Sequence, residues 1–209
     1  PVFPQKLSEK ARRQLLDLGV DVMLNGRVEA IDSDGVIVNG NRIGARTVLW
    51  TAGVVASPAA SWLGVKADAA GRVVVNPDLS VPGHPEIFVV GDTAAMRNAD
   101  GAPVPGLAPA AKQSGEFAAR VILARLQSRR APPAFAYRHI GGMATIGRKA
   151  AIADFGWLQL SGAAAWWLWG VVHVAFLVGA RNRVAVMLDW FWSYLTFRRG
   201  TRLITGSEG

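Results

Sequence analysis

Residues 85–92 read PEIFVVGD, and this stretch decides the fold of the chain. The apolar run at 87–90 predicts a buried strand that ends at Gly91 and Asp92. Ligands of open α/β sheets bind at the carboxyl ends of the strands, which is where Asp92 would lie. Gly91 lets a ligand approach the backbone, and the Asp92 carboxylate accepts hydrogen bonds from sugar or ribityl hydroxyls. Aspartate is also a common turn residue, so a purely structural turn is an equal alternative on chemistry alone.

The segments around this strand predict an α/β arrangement. Helical spacing of apolar residues runs from Leu7 to Leu18, and a second helix is expected at 108–127. A second buried strand is expected at 47–50. Weaker strand signals cover residues 20–24, 28–31, 36–38, 42–43, 73–75 and 137–153. The order of these elements fits the closing part of an α/β nucleotide-binding domain better than a complete domain.

Composition excludes several classes of protein. The 209 residues are 51% apolar and 18% charged, which is too apolar for a disordered chain. The chain has no cysteine, so it offers no disulfide, thiolate nucleophile or cysteine-ligated zinc. His84, His139 and His173 are far apart and lack metal-ligand spacing, so no metal site is expected.

Charge and tryptophan are concentrated in the second half of the chain. Residues 112–209 carry 13 basic and 4 acidic residues, a net charge of +9, whereas residues 1–111 carry 10 and 11, a net charge of −1. A basic half favours an anionic partner. Six of the eight tryptophans lie at positions 157, 166, 167, 169, 190 and 192. Tryptophan beside flanking arginine is typical of a lipid interface, and no nucleic-acid partner is expected because base-stacking surfaces interleave aromatics with basic residues. A tryptophan-rich protein core is the alternative.

The stretch 155–180 contains no Asp, Glu, Lys or Arg. It predicts an apolar helix over 157–180, followed by a second helix over 184–197. The first is long enough to span a bilayer, but the second is too short to cross back and carries Asp189. Composition alone leaves open whether these helices span a membrane or lie in one leaflet.

Five stretches together carry a family resemblance. They are residues 48–53 (VLWTAG), 87–92 (IFVVGD), 106–115 (GLAPAAKQSG), 142–148 (GMATIGR) and the tryptophan- and arginine-rich ending from Trp166 to Gly200. On these motifs the sequence resembles the type II NADH dehydrogenases, which are single-subunit, non-proton-pumping NADH:quinone oxidoreductases. The resemblance spans essentially the whole chain but only the second half of a family member.

The resemblance implies a fold and a reaction. The fold would be α/β, the C-terminal part of a two-dinucleotide-binding-domain (Rossmann-like) flavoprotein followed by an amphipathic, apolar helical membrane anchor. Residues 1–50 would end the NADH-binding domain, and residues 51–153 would form the C-terminal part of the FAD-binding domain with the quinone-site helix. Residues 154–209 would be the membrane-anchoring helices. Such enzymes pass electrons from NADH through FAD to a membrane quinone.

The resemblance also implies site residues. Those expected to bind FAD are Thr51, Ala52, Gly53, Gly91, Asp92 and Ala111. Gln113 and Lys112 would lie near the flavin and the quinone. Many family members carry an AQ-x-A-x-Q pattern here, whereas this chain has Ala108-Pro109 in place of the first Ala-Gln, and Lys112 offers a positive group instead. The positive N-terminal end of this helix would stabilise an anionic reduced flavin.

Membrane contact is implied for the end of the chain. The residues expected at the lipid surface are Trp166, Trp167, Trp169, Arg181, Arg183, Trp190, Trp192, Arg198 and Arg199. The resemblance favours two helices embedded in one leaflet, in a peripheral, monotopic protein at the cytoplasmic face of a bacterial inner membrane. It also allows a homodimer.

Two alternatives stay open at this point. One is another flavoprotein of the same superfamily, such as a sulfide:quinone reductase or a disulfide reductase, although those enzymes work through thiols that this chain lacks. The other is a non-catalytic, membrane-attached module that retains part of the flavin fold.

We predict that residues 1–209 alone neither hold FAD tightly nor oxidise NADH. No two glycines of the chain are separated by a single residue, so the GxGxxG fingerprint that binds dinucleotide pyrophosphates is absent from it. The measurement is the visible flavin absorbance of the purified chain after FAD is added and the excess removed, followed by an NADH oxidation assay. Retained flavin with sustained turnover would contradict the prediction.

Overall fold

A computed structural model describes residues 3–196 of the chain. The chain forms two compact units. One comprises residues 26–140, and the other combines the residues up to 25 with those from 141 onward.

The described residues contain five helices and ten strands. The helices are α1 (Gln5–Asp17), α2 (Ala59–Leu63), α3 (Ala108–Leu126), α4 (Ala163–Phe176) and α5 (Ala180–Thr196). The strands are β1 (Val28–Asp32), β2 (Gly35–Val38), β3 (Asn41–Gly44), β4 (Val73–Val74), β5 (Ser80–Val81), β6 (His84–Phe88), β7 (Ala94–Ala95), β8 (Gly142–Gly147), β9 (Ala150–Asp154) and β10 (Gln159–Ser161). A 3-10 turn, Gly91–Thr93, follows β6.

The unit at 26–140 begins with an antiparallel meander, β1–β2–β3, as the sequence predicts. Gly35 is required at the first turn because its φ is +140° and a Cβ there would lie 2.1 Å from the Ile43 carbonyl oxygen. Arg42 on β3 donates two hydrogen bonds, of 2.8 and 2.7 Å, to the Asp32 carboxylate on β1. These bonds lower the pKa of Asp32 from 3.8 to about 2.

The core of this unit lies beneath α3. β4 pairs in parallel with β7, and β5 pairs antiparallel with β6. The helix buries residues at positions 110, 114, 117, 118, 121 and 124, which is the spacing of one helical face. Phe117 and Val121 on that face join Val73, Leu79 and Val81 in a single cluster of buried side chains. The sequence prediction of a helix at 108–127 is confirmed.

The second unit packs helices on a three-stranded antiparallel sheet of order β10–β9–β8. Both α1 and α4 pack on β9. Ala151 and Ala153 are fully buried on this strand, and Ala165 of α4 packs against them. Small side chains let a helix backbone approach the sheet closely, which is why this core is built from alanine.

Three elements predicted from the sequence are wrong. Residues 47–50 form no strand, and Leu49 and Trp50 are exposed, because the described chain pairs no strand with this run. Residues 20–24 are also irregular, for the same reason. The helix predicted over 157–180 begins only at Ala163, because residues 159–161 pair with β9 as strand β10.

Two further findings concern the described residues alone. Between residues 3 and 196, every helix is too short or too polar to reach across a bilayer. The same residues contain no group of three or more His, Cys, Asp or Glu placed to hold a metal ion.

Candidate functional site

The candidate site is built on the turn that follows β6. Val89 is buried, and its N–H donates to the Leu79 carbonyl at 3.1 Å, so the chain stays extended beyond the strand. The backbone then reverses in the 3-10 turn at Gly91–Thr93, where Gly91 has a φ of +64°. A left-handed backbone of this kind favours glycine over any residue with a Cβ.

The N-terminal half of α3 docks directly on this turn. The Gly91 N–H donates to Ser114 Oγ at 3.1 Å, and the Ser114 hydroxyl donates to the Ala111 carbonyl at 2.9 Å. Ser114 is fully buried, so both of its hydrogen bonds are made away from water. A Cβ on Gly91 would lie 3.3 Å from Ala111 Cβ. The turn and α3 are therefore in direct contact, with only the Ala111 methyl group between their backbones.

Asp92 occupies the next position of the turn and is exposed. A Cβ placed on Gly106, just before α3, would lie 3.4 Å from Asp92 Oδ1. The carboxylate therefore stands beside a residue without a side chain. A ligand carrying hydroxyl groups can reach it there and donate hydrogen bonds to it.

The N-terminal end of α3 places partial positive charge near this turn. Leu107 is the extended N-cap and makes no side-chain cap, while Pro109 lies within the first turn. Proline is tolerated there because first-turn N–H groups have no intrahelical partner. Backbone N–H groups at a helix N-terminus carry partial positive charge and favour an anionic group nearby.

Lys112 and Gln113 lie on α3 beyond this first turn. Lys112 is exposed, and its Nζ lies 3.9 Å from Glu116 Oε1 one turn further along. Gln113 is half-buried, and its carboxamide pairs with the backbone of Arg138. The side chain predicted to face the quinone is thus engaged with the protein itself.

Of the residues predicted to bind FAD, the structure brings together Gly91, Asp92 and Ala111. Thr51, Ala52 and Gly53 lie in an exposed, irregular segment and take no part in the contact between the turn and α3. Gly53 has a φ of +98°, and its N–H donates to the Thr51 carbonyl at 3.0 Å.

The residues predicted at the lipid surface lie on α4 and α5. Trp169 and Trp190 stack with centroids 5.4 Å apart and planes inclined by 7°, and Tyr194 lies against Trp166 and Trp167. Trp192, Arg181 and Arg183 are exposed. Arg198 and Arg199, also predicted at the lipid surface, lie outside the described residues.

A cleft of about 380 Å³ opens elsewhere in the unit at 26–140. Its lining includes Arg72, Asn76, Met96, Arg97 and Phe135. None of the residues predicted to bind cofactor or quinone lines it.

The sequence reasoning missed Ser114, which ties α3 to the turn. The signal was present, because Ser114 stands four residues after Ala110 and three before Phe117 on a helical face that is otherwise apolar. A hydroxyl on a buried face requires a hydrogen-bond partner, and the turn after a strand is a source of free N–H groups.

Comparison with known proteins identifies the family. Residues 1–115 match the pyridine nucleotide-disulphide oxidoreductase family, and residues 139–199 match the NDH2 C-terminal domain. The chain belongs to the pyridine nucleotide-disulphide oxidoreductase family. Within this family, the predicted resemblance to type II NADH dehydrogenases is confirmed.

Individual members of the family agree with this assignment. The chain is 38% identical to the type II NADH:quinone oxidoreductase NdhA of Mycobacterium tuberculosis over 98% of its own length and 45% of that protein. It is also 38% identical to Ndh of the same organism, over 100% of its own length and 46% of that protein. The chain therefore spans about half the length of the curated relatives it matches.

A solved structure confirms the α/β flavoprotein fold. The structure of NDH2 from Plasmodium falciparum in complex with NADH superimposes with a TM-score of 0.83 at 16% sequence identity. The match covers 97% of this chain and 57% of that one.

The contact between Gly91 and Ala111 yields a testable prediction for this family member. We expect Gly91→Ala to cost about 1–2 kcal/mol of unfolding free energy from the left-handed backbone and about 1–3 kcal/mol more from the contact with Ala111. Gly64→Ala is the matched control, because Gly64 has the same φ of +64° and a Cβ there meets nothing within 4 Å. The measurement is denaturant unfolding, and equal losses at the two positions would contradict the prediction.

Proposed function

We infer that this chain is the flavin-side, acceptor-side and membrane-binding part of an NADH:quinone oxidoreductase. The observation that carries the proposal is the docking of α3 on the Gly91–Thr93 turn, which fixes an exposed carboxylate beside the positive end of a helix. The relatives named type II NADH:quinone oxidoreductases supply the reaction class. These relatives favour a quinone as the electron acceptor over the disulfide or sulfide substrates of the alternative flavoproteins.

The residues of the turn fit a flavin nucleotide. Asp92 is exposed next to Gly106, so it would accept hydrogen bonds from the ribityl hydroxyls of a bound flavin. Gly91 has no side chain and Ala111 only a methyl group, so neither would crowd a ligand bound beside them, and Thr51, Ala52 and Gly53 are also proposed to line the flavin site. FAD, when bound, supplies the two-electron chemistry that connects NADH to the quinone. The first turn of α3 favours negative charge near the ring.

The proposed roles divide the chain along its length. Residues 1–50 end the NADH-binding part, residues 51–153 provide the FAD-binding turn and α3, and residues 154–209 bind the membrane. Lys112 and Gln113 are assigned to the acceptor side of α3, where Lys112 offers a positive group to a quinone oxygen. Because these bounds describe binding roles, they differ from the two compact units.

Membrane binding is proposed for the hairpin of α4 and α5. One face of α5 carries four exposed apolar side chains at spacings of four, three and four residues: Val184, Leu188, Phe191 and Leu195. Such a stripe of apolar side chains on one helix face is typical of a helix that lies in the lipid interface. Arg181 and Arg183 stand at the start of α5, where they can meet anionic head groups.

We propose that the hairpin lies in one leaflet, as a peripheral attachment at the cytoplasmic face of a bacterial inner membrane. The aromatic contacts between Trp169 and Trp190 hold the two helices side by side, which supports a hairpin that binds as one piece. A homodimer is compatible with this arrangement.

The activity is tested on the protein expressed from its natural gene. We expect the purified protein to contain flavin that NADH bleaches without oxygen and that a short-chain quinone analogue then reoxidises. The measurement is stopped-flow absorbance of the flavin with each substrate in turn. Protein that binds no flavin, or flavin that a disulfide reoxidises and a quinone does not, would show the proposed function to be wrong.

Membrane binding is tested by changing the exposed stripe. We expect Leu188→Glu to weaken binding to vesicles containing anionic lipid by about tenfold or more, because a leucine side chain moved into an apolar environment is worth about 1.5–3 kcal/mol. Leu126→Glu, at an exposed leucine near the end of α3, is the matched control and should leave vesicle binding unchanged. Cosedimentation measures both variants.

Varying the salt concentration provides an independent test of vesicle binding. High salt should weaken binding of the unaltered protein, because it screens the arginines, without abolishing it. Equal vesicle binding by the Leu188 and Leu126 variants would overturn the assignment of this face.

A further inference from the structure

The segment at 134–140 belongs to no helix or strand, yet it is held at several points. The Phe135 N–H donates to the Pro77 carbonyl at 2.8 Å, and its ring packs edge-on against Phe117 with centroids 5.4 Å apart. The Tyr137 N–H donates to Asn98 Oδ1 at 2.9 Å. One backbone hydrogen bond, one ring contact and one side-chain hydrogen bond thus hold these residues in place of the ladder of a strand.

A further attachment, made of two hydrogen bonds, comes from Gln113 on α3. Its Nε2 donates to the Arg138 carbonyl at 2.9 Å, and the Arg138 N–H donates to Gln113 Oε1 at 3.0 Å. The carboxamide pairs with the backbone N–H and C=O of Arg138 as a residue of a neighbouring strand would, with one donor and one acceptor. A carboxylate in its place lacks the donor, and an ammonium group lacks the acceptor.

Two side chains flank the residue that Gln113 holds. Tyr137 and His139 lie on either side of Arg138, and the Tyr137 hydroxyl lies 3.3 Å from His139 Nδ1. Their rings meet edge-on with centroids 6.1 Å apart. Burial raises the pKa of the Tyr137 hydroxyl, so it keeps its proton. The Gln113 pairing therefore fixes this hydrogen-bonded pair relative to α3.

We propose that Gln113 is a positioning residue, which acts on the acceptor side of the site by clamping the Arg138 peptide to α3 rather than by contacting the acceptor. This inference rests on the proposed function for its kinetic consequence only. The Arg138 backbone already takes one of the two N–H donors and one of the two lone pairs of the Gln113 carboxamide, and it fixes the orientation of the group. The clamp instead sets where Tyr137 and His139 stand beside the N-terminal half of α3.

The direct test is hydrogen exchange in the protein expressed from its natural gene. In the unaltered protein the Arg138 amide should be protected, although it lies outside every helix and strand. Gln113→Met keeps the length of the side chain and removes both hydrogen bonds, so the Arg138 amide should exchange about tenfold faster. Gln113→Glu keeps only the acceptor and should give an intermediate rate. Gln127→Met, the same change at the exposed glutamine after α3, should leave the Arg138 amide unaffected.

Kinetics provide the second readout. With Gln113→Met, kcat/KM for the quinone should fall about tenfold, because small displacements of positioning groups are costly. Flavin content and the rate of flavin reduction by NADH should stay as in the unaltered protein. An unprotected Arg138 amide, or exchange that Gln113→Met leaves unchanged, would overturn the clamp. If the unaltered protein reduces no quinone, the proposed function fails, and the exchange rates still decide the clamp.

Discussion

The hydrogen bond from the Gly91 N–H to the Ser114 hydroxyl joins the two elements from which the candidate site is made. Its acceptor, the Ser114 hydroxyl, is fully buried, and a buried polar group left unpaired would cost about 1–3 kcal/mol. A Cβ at residue 91 would crowd Ala111, which lies against it, so glycine lets the bond form without strain. Loss of this contact would release the turn from the helix, and the position of Asp92 depends on that turn.

The helix α3 makes contacts on two of its faces. Its buried face carries Phe117 and Val121 into the core, which fixes its axis in the unit at 26–140. On another side, Gln113 pairs with the peptide of Arg138, a residue 25 positions further along the chain. Binding groups held by a well-packed helix keep their geometry better than groups on free loops. The helix is thus the common support of the turn, the segment at 134–140 and the N-terminal positive end.

Elements whose signal is local were predictable from the sequence. The helix α3 and the meander β1–β3 follow from the spacing of apolar residues and from turn residues, and both are observed. The buried strand expected at 47–50 failed because a strand depends on partners that its own residues do not specify, and Val55 nearby is 93% exposed. In the site, the sequence predicted a buried strand at 87–90 ending at Gly91 and Asp92, whereas β6 is exposed to half-buried and ends at Phe88, and the chain then continues to the turn. The engagement of Gln113 was not predictable, since its partner is a backbone group that carries no sequence signature.

In the hairpin of α4 and α5, some apolar residues pack against one another and others stay exposed. The stack of Trp169 on Trp190 and the contact of Tyr194 with Trp166 hold the two helices together, and the guanidinium of Arg148, between β8 and β9, lies over the Tyr194 ring. Leu188 and Phe191 remain 63% and 61% exposed in the same helix. Contiguous apolar surface of this kind marks a face that meets a partner. The arginines at the start of α5 add support to the proposal of a lipid surface, which would cover the apolar stripe and offer anionic groups to the positive charge, whereas a purely apolar protein partner would leave that charge unpaired.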